Sequence, residues 1–184
     1  MVQFNQKVIP AARSIKDFER LMRTGAEYVV MLQLHLSQAK FVANLAKQHG
    51  VKVLMHADLI QGLRPDEHGA QFLCQEVRPA GLISTHAQVV ATAKKRELIA
   101  VQRIFLLDSQ SLETSYRVVQ SVHPDCIEVL PGVLTDVIRE VVANTKIPVL
   151  AGGFIRTVED VDRALDAGAV GVTSSDSDLW NYGR

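Results

Sequence analysis

Ile147-Pro-Val-Leu-Ala-Gly-Gly-Phe-Ile-Arg-Thr-Val-Glu-Asp-Val-Asp-Arg-Ala-Leu-Asp-Ala-Gly-Ala-Val-Gly-Val-Thr-Ser-Ser175 contains one full turn of the rhythm that decides the fold. It opens with a short apolar run, Ile147 to Leu150, of strand length and followed by Gly152-Gly153. Thr157-Val-Glu-Asp160 has the form of a helix start and leads into Val161, Ala164 and Leu165 at helical spacing. Gly168 then supplies the left-handed stop, and Val170 to Thr173 begins the next strand.

The same rhythm runs through the rest of the chain. Val8 to Pro10, Glu27 to Leu32, Val51 to His56, Gly81 to Ser84, Leu98 to Phe105 and Cys126 to Leu130 bring the strand candidates to eight. A further helix start lies at Ser14 to Asp17, and further stops at Gly25 and Gly50. Strands alternating with helices imply parallel pairing through right-handed crossovers. Eight of them predict an α/β protein of the TIM type, a closed eight-stranded parallel β/α barrel formed by residues 1–184 as one domain. At 184 residues it is compact for such a barrel, so the final helix is expected to be short. The other parallel arrangement, an open doubly wound sheet, lacks its GxGxxG fingerprint after the first strand.

Composition narrows the class. Hydrophobic residues make up 47% and charged residues 22%, proportions that support a buried core and argue against disorder. The 20 basic and 20 acidic side chains cancel, so a nucleic-acid partner has to use a local patch. Met1 to Lys7 shows no secretion-signal pattern and no stretch is long enough to span a membrane, which predicts a cytoplasmic protein with no membrane partner. Cys74 and Cys126 lack CxxC spacing and are expected to be buried, reduced thiols.

Ligands of such barrels bind where strands end and loops lead into helices. Gly152 and Gly153 expose backbone N–H groups before a capped helix, and Ser174 and Ser175 add donors beside them, a pattern suited to phosphate. The same glycines also suit a tight turn. Asp176 and Asp178 would oppose an anion if turned inward. His56 and Asp58 share one side of a strand end, and with Glu128 they can accept from the hydroxyls of a polyol or hold a divalent cation. Arg103 joins that polyol site only if it faces inward. His86, at another strand end, either helps to hold an anion or opens a helix. Trp180 and Tyr182 either pack an interface of a homo-oligomer or close the barrel.

Enzyme signatures are missing. No lysine ends a strand, and neither GxSxG nor HExxH occurs, so no catalytic residue, cofactor or resident metal is expected and the chain reads as a binding protein. The alternative is an enzyme on a phosphorylated three-carbon substrate, a phosphodiesterase or isomerase with Asp58 and Glu128 as acid and base.

His56-Ala-Asp-Leu-Ile-Gln-Gly-Leu63, Pro79-Ala-Gly-Leu-Ile-Ser-Thr85, Gln102-Arg-Ile-Phe-Leu-Leu-Asp-Ser109, Ile127-Glu-Val-Leu-Pro-Gly132, Ala151-Gly-Gly-Phe-Ile155 and Leu179-Trp180 together resemble the glycerol 3-phosphate-responsive antiterminator family of bacterial glycerol uptake operons. The resemblance spans most of the chain. It implies a barrel, glycerol 3-phosphate as effector, and binding to the leader of a messenger RNA in the control of glycerol catabolism. For the RNA contact the chain offers Lys94-Lys95-Arg96 at a helix end, a run that equally suits a solvated surface.

Overall fold

The computed structural model describes residues 2–183, so Met1 and Arg184 of the expected domain lie outside the described residues. Eight parallel strands close into a barrel: β1 (Val8–Ala12), β2 (Tyr28–Met31), β4 (Lys52–His56), β6 (Gly81–Ser84), β7 (Ile99–Phe105), β8 (Cys126–Leu130), β9 (Val149–Gly152) and β10 (Gly171–Ser174). The ring closes where β10 pairs with β1, with Val8 opposite Val172 and Pro10 opposite Ser174. The eight strands read from the sequence are these eight. Two further strands of two residues each, β3 (Leu34–His35) and β5 (Ile60–Gln61), pair with each other outside the barrel, a feature too short to show in a hydrophobic pattern.

Helices α1 (Ile15–Leu21), α2 (Leu36–Gln48), α3 (Glu67–Phe72), α4 (Ala87–Lys95), α5 (Ser109–Val122), α6 (Thr135–Thr145) and α7 (Val158–Asp166) surround the sheet. Ser14 and Thr157 cap α1 and α7 by accepting from the amides of Asp17 and Asp160, as their sequences predict. Gly25, Gly50 and Gly168 take the left-handed backbone expected of helix stops. His123 and Lys146 do the same after α5 and α6, which their residue types did not announce.

Among the described residues no short final helix forms. After β10 the chain makes consecutive turns instead, with Leu179 N–H donating to Asp176, Trp180 to Ser177 and Tyr182 to Leu179. Side chains hold this segment in place. The Trp180 indole donates to the Ser174 carbonyl at 3.0 Å and lies under the Arg20 guanidinium of α1, while the Tyr182 hydroxyl bonds Asp162 of α7. Trp180 packs into the apolar layer on the α1 side and Tyr182 against the layer on the α7 side, so the tail occupies the place of an eighth helix. The two residues thus close the barrel wall.

Strand alternation divides the core. Ile9, Ala11, Tyr28, Val30, Leu54, Ile83, Val101, Cys126 and Leu150 fill the barrel interior, and the intervening residues pack outward beneath the helices. Both cysteines are free and buried, and burial pushes both thiols up in pKa. Gly81 lets β6 approach β7 closely: a Cβ there would lie 2.5 Å from the Ile99 carbonyl oxygen and 2.7 Å from Leu54. Gly81→Ala is therefore expected to lower stability by about 1–3 kcal/mol, the usual range for overpacking, as measured by urea unfolding.

Candidate functional site

The inward register that places Val101, Cys126 and Leu150 in the apolar interior puts Arg103, Glu128 and Gly152 one step higher, with Thr173 beside them on β10. Arg103 therefore faces inward. Its Nε donates to Glu128 Oε2 at 2.7 Å, and the Thr173 hydroxyl donates to Glu128 Oε1 at 2.6 Å. Glu128 is fully buried, and Arg103 is nine-tenths buried. A carboxylate at this depth needs such partners, because unpaired burial of a charge costs several kcal/mol. Gly152 makes room for the cluster: a Cβ there would come within 2.6 Å of the Thr173 hydroxyl and 3.0 Å of Glu128 Oε1.

Above the pair opens a cavity of about 730 Å³ at the C-terminal ends of the strands. Arg103 and Glu128 form its floor, the β9–α7 and β10 loops one wall, and Ala11, Val30 and Leu32 of the adjoining β1 and β2 side an apolar wall next to it. Glu128 uses one guanidinium nitrogen of Arg103. The other two bond no protein acceptor among the described residues and belong to a side chain that lines the cavity.

In the β9–α7 loop Gly153 and Phe154 are both left-handed, with φ of +77° and +59°. The carbonyls of Gly152 and Gly153 accept from Gly132 N–H at 2.5 and 3.2 Å, which ties this loop to the one after β8. Among the described residues no protein acceptor faces the amides of Gly153, Phe154 or Ser175, and all three residues line the cavity. Ser174 also lines it, but its hydroxyl is engaged, donating to the Ile155 carbonyl and accepting from Asp176 N–H. Free amides beside a guanidinium form a setting that favours an anion.

Two cavity residues were not anticipated from the sequence. Arg13 follows β1 on the inward register of Ile9 and Ala11, and Arg156 precedes the Thr157 cap of α7. Neither pairs with a carboxylate among the described residues, whereas Asp176 adds one negative group to the lining. Extending the strand alternation one residue past β1 would have found Arg13. Arg156 carries no such signal, because its direction depends on the left-handed turn before it.

Asp58 has a different task from the polyol contact expected of it. It sits in a 3-10 turn (Ala57–Leu59) and does not line the cavity. Its Oδ1 accepts from the Ser84 hydroxyl, and its Oδ2 from the Thr85 amide at 2.8 Å and hydroxyl at 2.7 Å, tying the end of β4 to the end of β6. Burial raises its pKa, but these hydrogen bonds outweigh burial and leave the carboxyl below its ordinary value. His86 stands 3.5 Å from this carboxylate at the start of α4, outside the cavity lining. His56 is buried on the inward register of Leu54, and neither of its ring nitrogens has a hydrogen-bond partner among the described residues. Burial, reinforced by the Arg103 charge, lowers its pKa to about 4 despite opposing attraction from Asp58 and Glu128. Among the described residues no three His, Cys, Asp or Glu side chains group closely enough to hold a metal ion, so His56, Asp58 and Glu128 do not assemble the cation site weighed above.

Lys94, Lys95 and Arg96 end α4 and lead into the start of β7, so they lie at the end of the barrel opposite the cavity. Lys94 is ion-paired with Asp125.

The chain is thus a parallel β/α barrel whose cavity lies, as in other barrels of this class, at the C-terminal strand ends, over an arginine floor and beside free amides. More narrowly, residues 8–180 match the Glycerol-3-phosphate responsive antiterminator family, and the chain belongs to it. The glycerol uptake operon antiterminator regulatory protein from Listeria monocytogenes str. 4b F2365 is 40% identical, with 97% of this chain and 96% of that one covered at a TM-score of 0.94. A glycerol uptake operon antiterminator-related protein from Thermotoga maritima MSB8 is 25% identical, covering 95% and 98% of the two chains at a TM-score of 0.83. The uncharacterized protein YgcP of Escherichia coli (strain K12) is 27% identical over 96% of this chain and 93% of its own.

Two outcomes follow from this geometry. Glu128→Gln, which leaves Arg103 without its counter-charge, should cost about 3–5 kcal/mol in denaturant unfolding. His56 imposes a pH dependence. Between about pH 6.5, its unfolded value, and about 4, the unfolded chain binds a proton that the folded chain refuses. Stability is therefore full above pH 6.5 and falls by up to about 3 kcal/mol as the pH drops toward 4, and His56→Gln should remove that slope in unfolding series run across this range.

Proposed function

We propose that residues 1–184 act as one cytoplasmic barrel domain that binds glycerol 3-phosphate in the cavity over Arg103 and regulates glycerol catabolism as a transcription antiterminator through a messenger RNA leader. The observation that carries the effector reading is the buried Arg103–Glu128 pair, which presents two guanidinium nitrogens without protein partners to a cavity rimmed by free amides. Membership of the glycerol 3-phosphate-responsive family supports the same ligand. The phosphate would lie against the amides of Gly153, Phe154 and Ser175, with Arg13 supplying charge. The glycerol hydroxyls would reach toward Arg103 and the apolar wall. Glu128 then serves to aim Arg103, since both its oxygens already accept hydrogen bonds.

The regulatory reading is favoured over an enzyme by the carboxylates themselves. Asp58 lies outside the cavity lining and its carboxyl is held below its ordinary pKa, the wrong direction for a general acid near neutral pH. The antiterminator names of the Listeria and Thermotoga relatives point the same way. For RNA, Lys95 and Arg96 are the cations of the α4 end that no ion pair engages among the described residues. A contact there has to be coupled to the cavity through the barrel's length, and a coupling of about 1–3 kcal/mol would change RNA affinity roughly five- to 150-fold.

Thermal unfolding with glycerol 3-phosphate, glycerol and inorganic phosphate tests the effector. At 100 times its dissociation constant glycerol 3-phosphate should add about 2.7 kcal/mol, and glycerol should add nothing. Arg13→Ala, which leaves the buried pair intact, should weaken glycerol 3-phosphate binding about tenfold by isothermal titration, the usual loss for one charge-assisted hydrogen bond. No shift with any of the three ligands would remove glycerol 3-phosphate as the effector.

A further inference from the structure

Outside the cavity lies an apolar surface that the effector reading does not use. Leu107 is 86% exposed, Phe154 66%, Phe105 50%, and Val133 and Leu134 40% each. Phe105 ends β7, and the others stand on the loops that follow β7, β8 and β9, three neighbours in the barrel order. Hydrogen bonds join these loops side by side: Leu106 N–H donates to the Leu130 carbonyl at 2.8 Å, and Gly132 N–H to the Gly152 carbonyl at 2.5 Å. An isolated exposed leucine is ordinary, but adjoining loops that each display large apolar side chains mark a surface built to be covered.

We infer that this rim is covered by a second copy of the same chain in a two-fold dimer. Aliphatic side chains dominate it, which suits the centre of a protein interface better than the stacking platforms a nucleic acid needs. The charges around it are self-complementary. Asp108 is exposed on the β7 side, Asp136 on the β8 side is held by Arg139 of its own helix, and Arg156 stands without a carboxylate partner among the described residues on the β9 side. In a two-fold contact each surface meets its own copy in reverse, so Arg156 of one copy can face Asp108 of the other. The formal net charge of zero leaves no long-range repulsion between copies.

The rim and the cavity share the β9–α7 loop. Phe154 lines the cavity and is also exposed at the rim, with Arg156 lying 5.7 Å from its ring. An effector that holds this loop by its amides therefore orders part of the dimer surface, and dimerisation in turn tightens effector binding. This second step rests on the glycerol 3-phosphate reading, whereas the dimer itself does not.

Sedimentation equilibrium of the full chain without ligand, over a wide concentration range, provides the test. The expected mass at high concentration is twice that of one chain. Leu107→Asp and Val133→Asp, neither of which lines the cavity, should each raise the dimer dissociation constant at least about 30-fold, as loss of a central apolar contact does, while leaving the circular dichroism unchanged. A wild-type chain that stays monomeric throughout overturns the inference, as does a dimer whose dissociation constant neither variant changes. A monomeric wild type whose Leu107→Asp variant loses leader RNA would overturn it in favour of an RNA surface. Glycerol 3-phosphate binding by the monomeric variants, measured separately, reports on the effector reading alone.

Discussion

Glu128 lies wholly within the barrel and accepts from the Arg103 guanidinium on one oxygen and the Thr173 hydroxyl on the other. Much of the upper barrel is arranged around that carboxylate. Three strands supply its surroundings, β7 the arginine, β10 the threonine and β9 a glycine with no side chain to intrude. Such a pair adds little net stability compared with an apolar isostere, because desolvation offsets most of its attraction. What it supplies is direction. A guanidinium held on one nitrogen by a buried acceptor keeps its remaining donors in a fixed fan, and that fan faces the cavity.

The neighbouring histidine shows the other side of the same environment. His56 shares the barrel interior with Arg103, and burial together with that positive charge keeps its ring neutral well below its ordinary titration. A charged ring there would add a second cation to a region with one buried carboxylate. Asp58, one turn further along, lies closer to solvent and has three donors, so it stays ionised and holds two strand ends together. Residues two apart in sequence thus carry opposite charge preferences, set by what surrounds each.

A full eighth helix is replaced by turns that lay Trp180 and Tyr182 into the outer apolar layers between α1 and α7. The indole bond to the Ser174 carbonyl connects this closure to the β10 strand end, so the segment that completes the wall also braces one edge of the cavity. The loops after β7, β8 and β9, which meet no such tail, keep the apolar rim exposed.

The amino-acid sequence by itself determined the barrel. Its eight strands, the capped starts of α1 and α7 and the glycine stops follow from periodicity and from backbone rules that act over a few residues. It also marked the strand ends that line the cavity, because Gly153, Ser174 and Ser175 lie where local pattern puts a loop after a strand. Only the tertiary structure decided the tasks of individual side chains. Whether Arg103 faced inward, whether Asp58 met a ligand or two hydroxyls, and whether Gly152 gave an amide or merely space depended on residues 25 to 45 positions away. Arg156 joined the cavity lining for the same reason, whereas Arg13 lay within reach of the β1 alternation. Local sequence governs the sign of a backbone angle and the start of a helix, but partners are chosen by barrel closure, which brings distant strands within hydrogen-bonding reach.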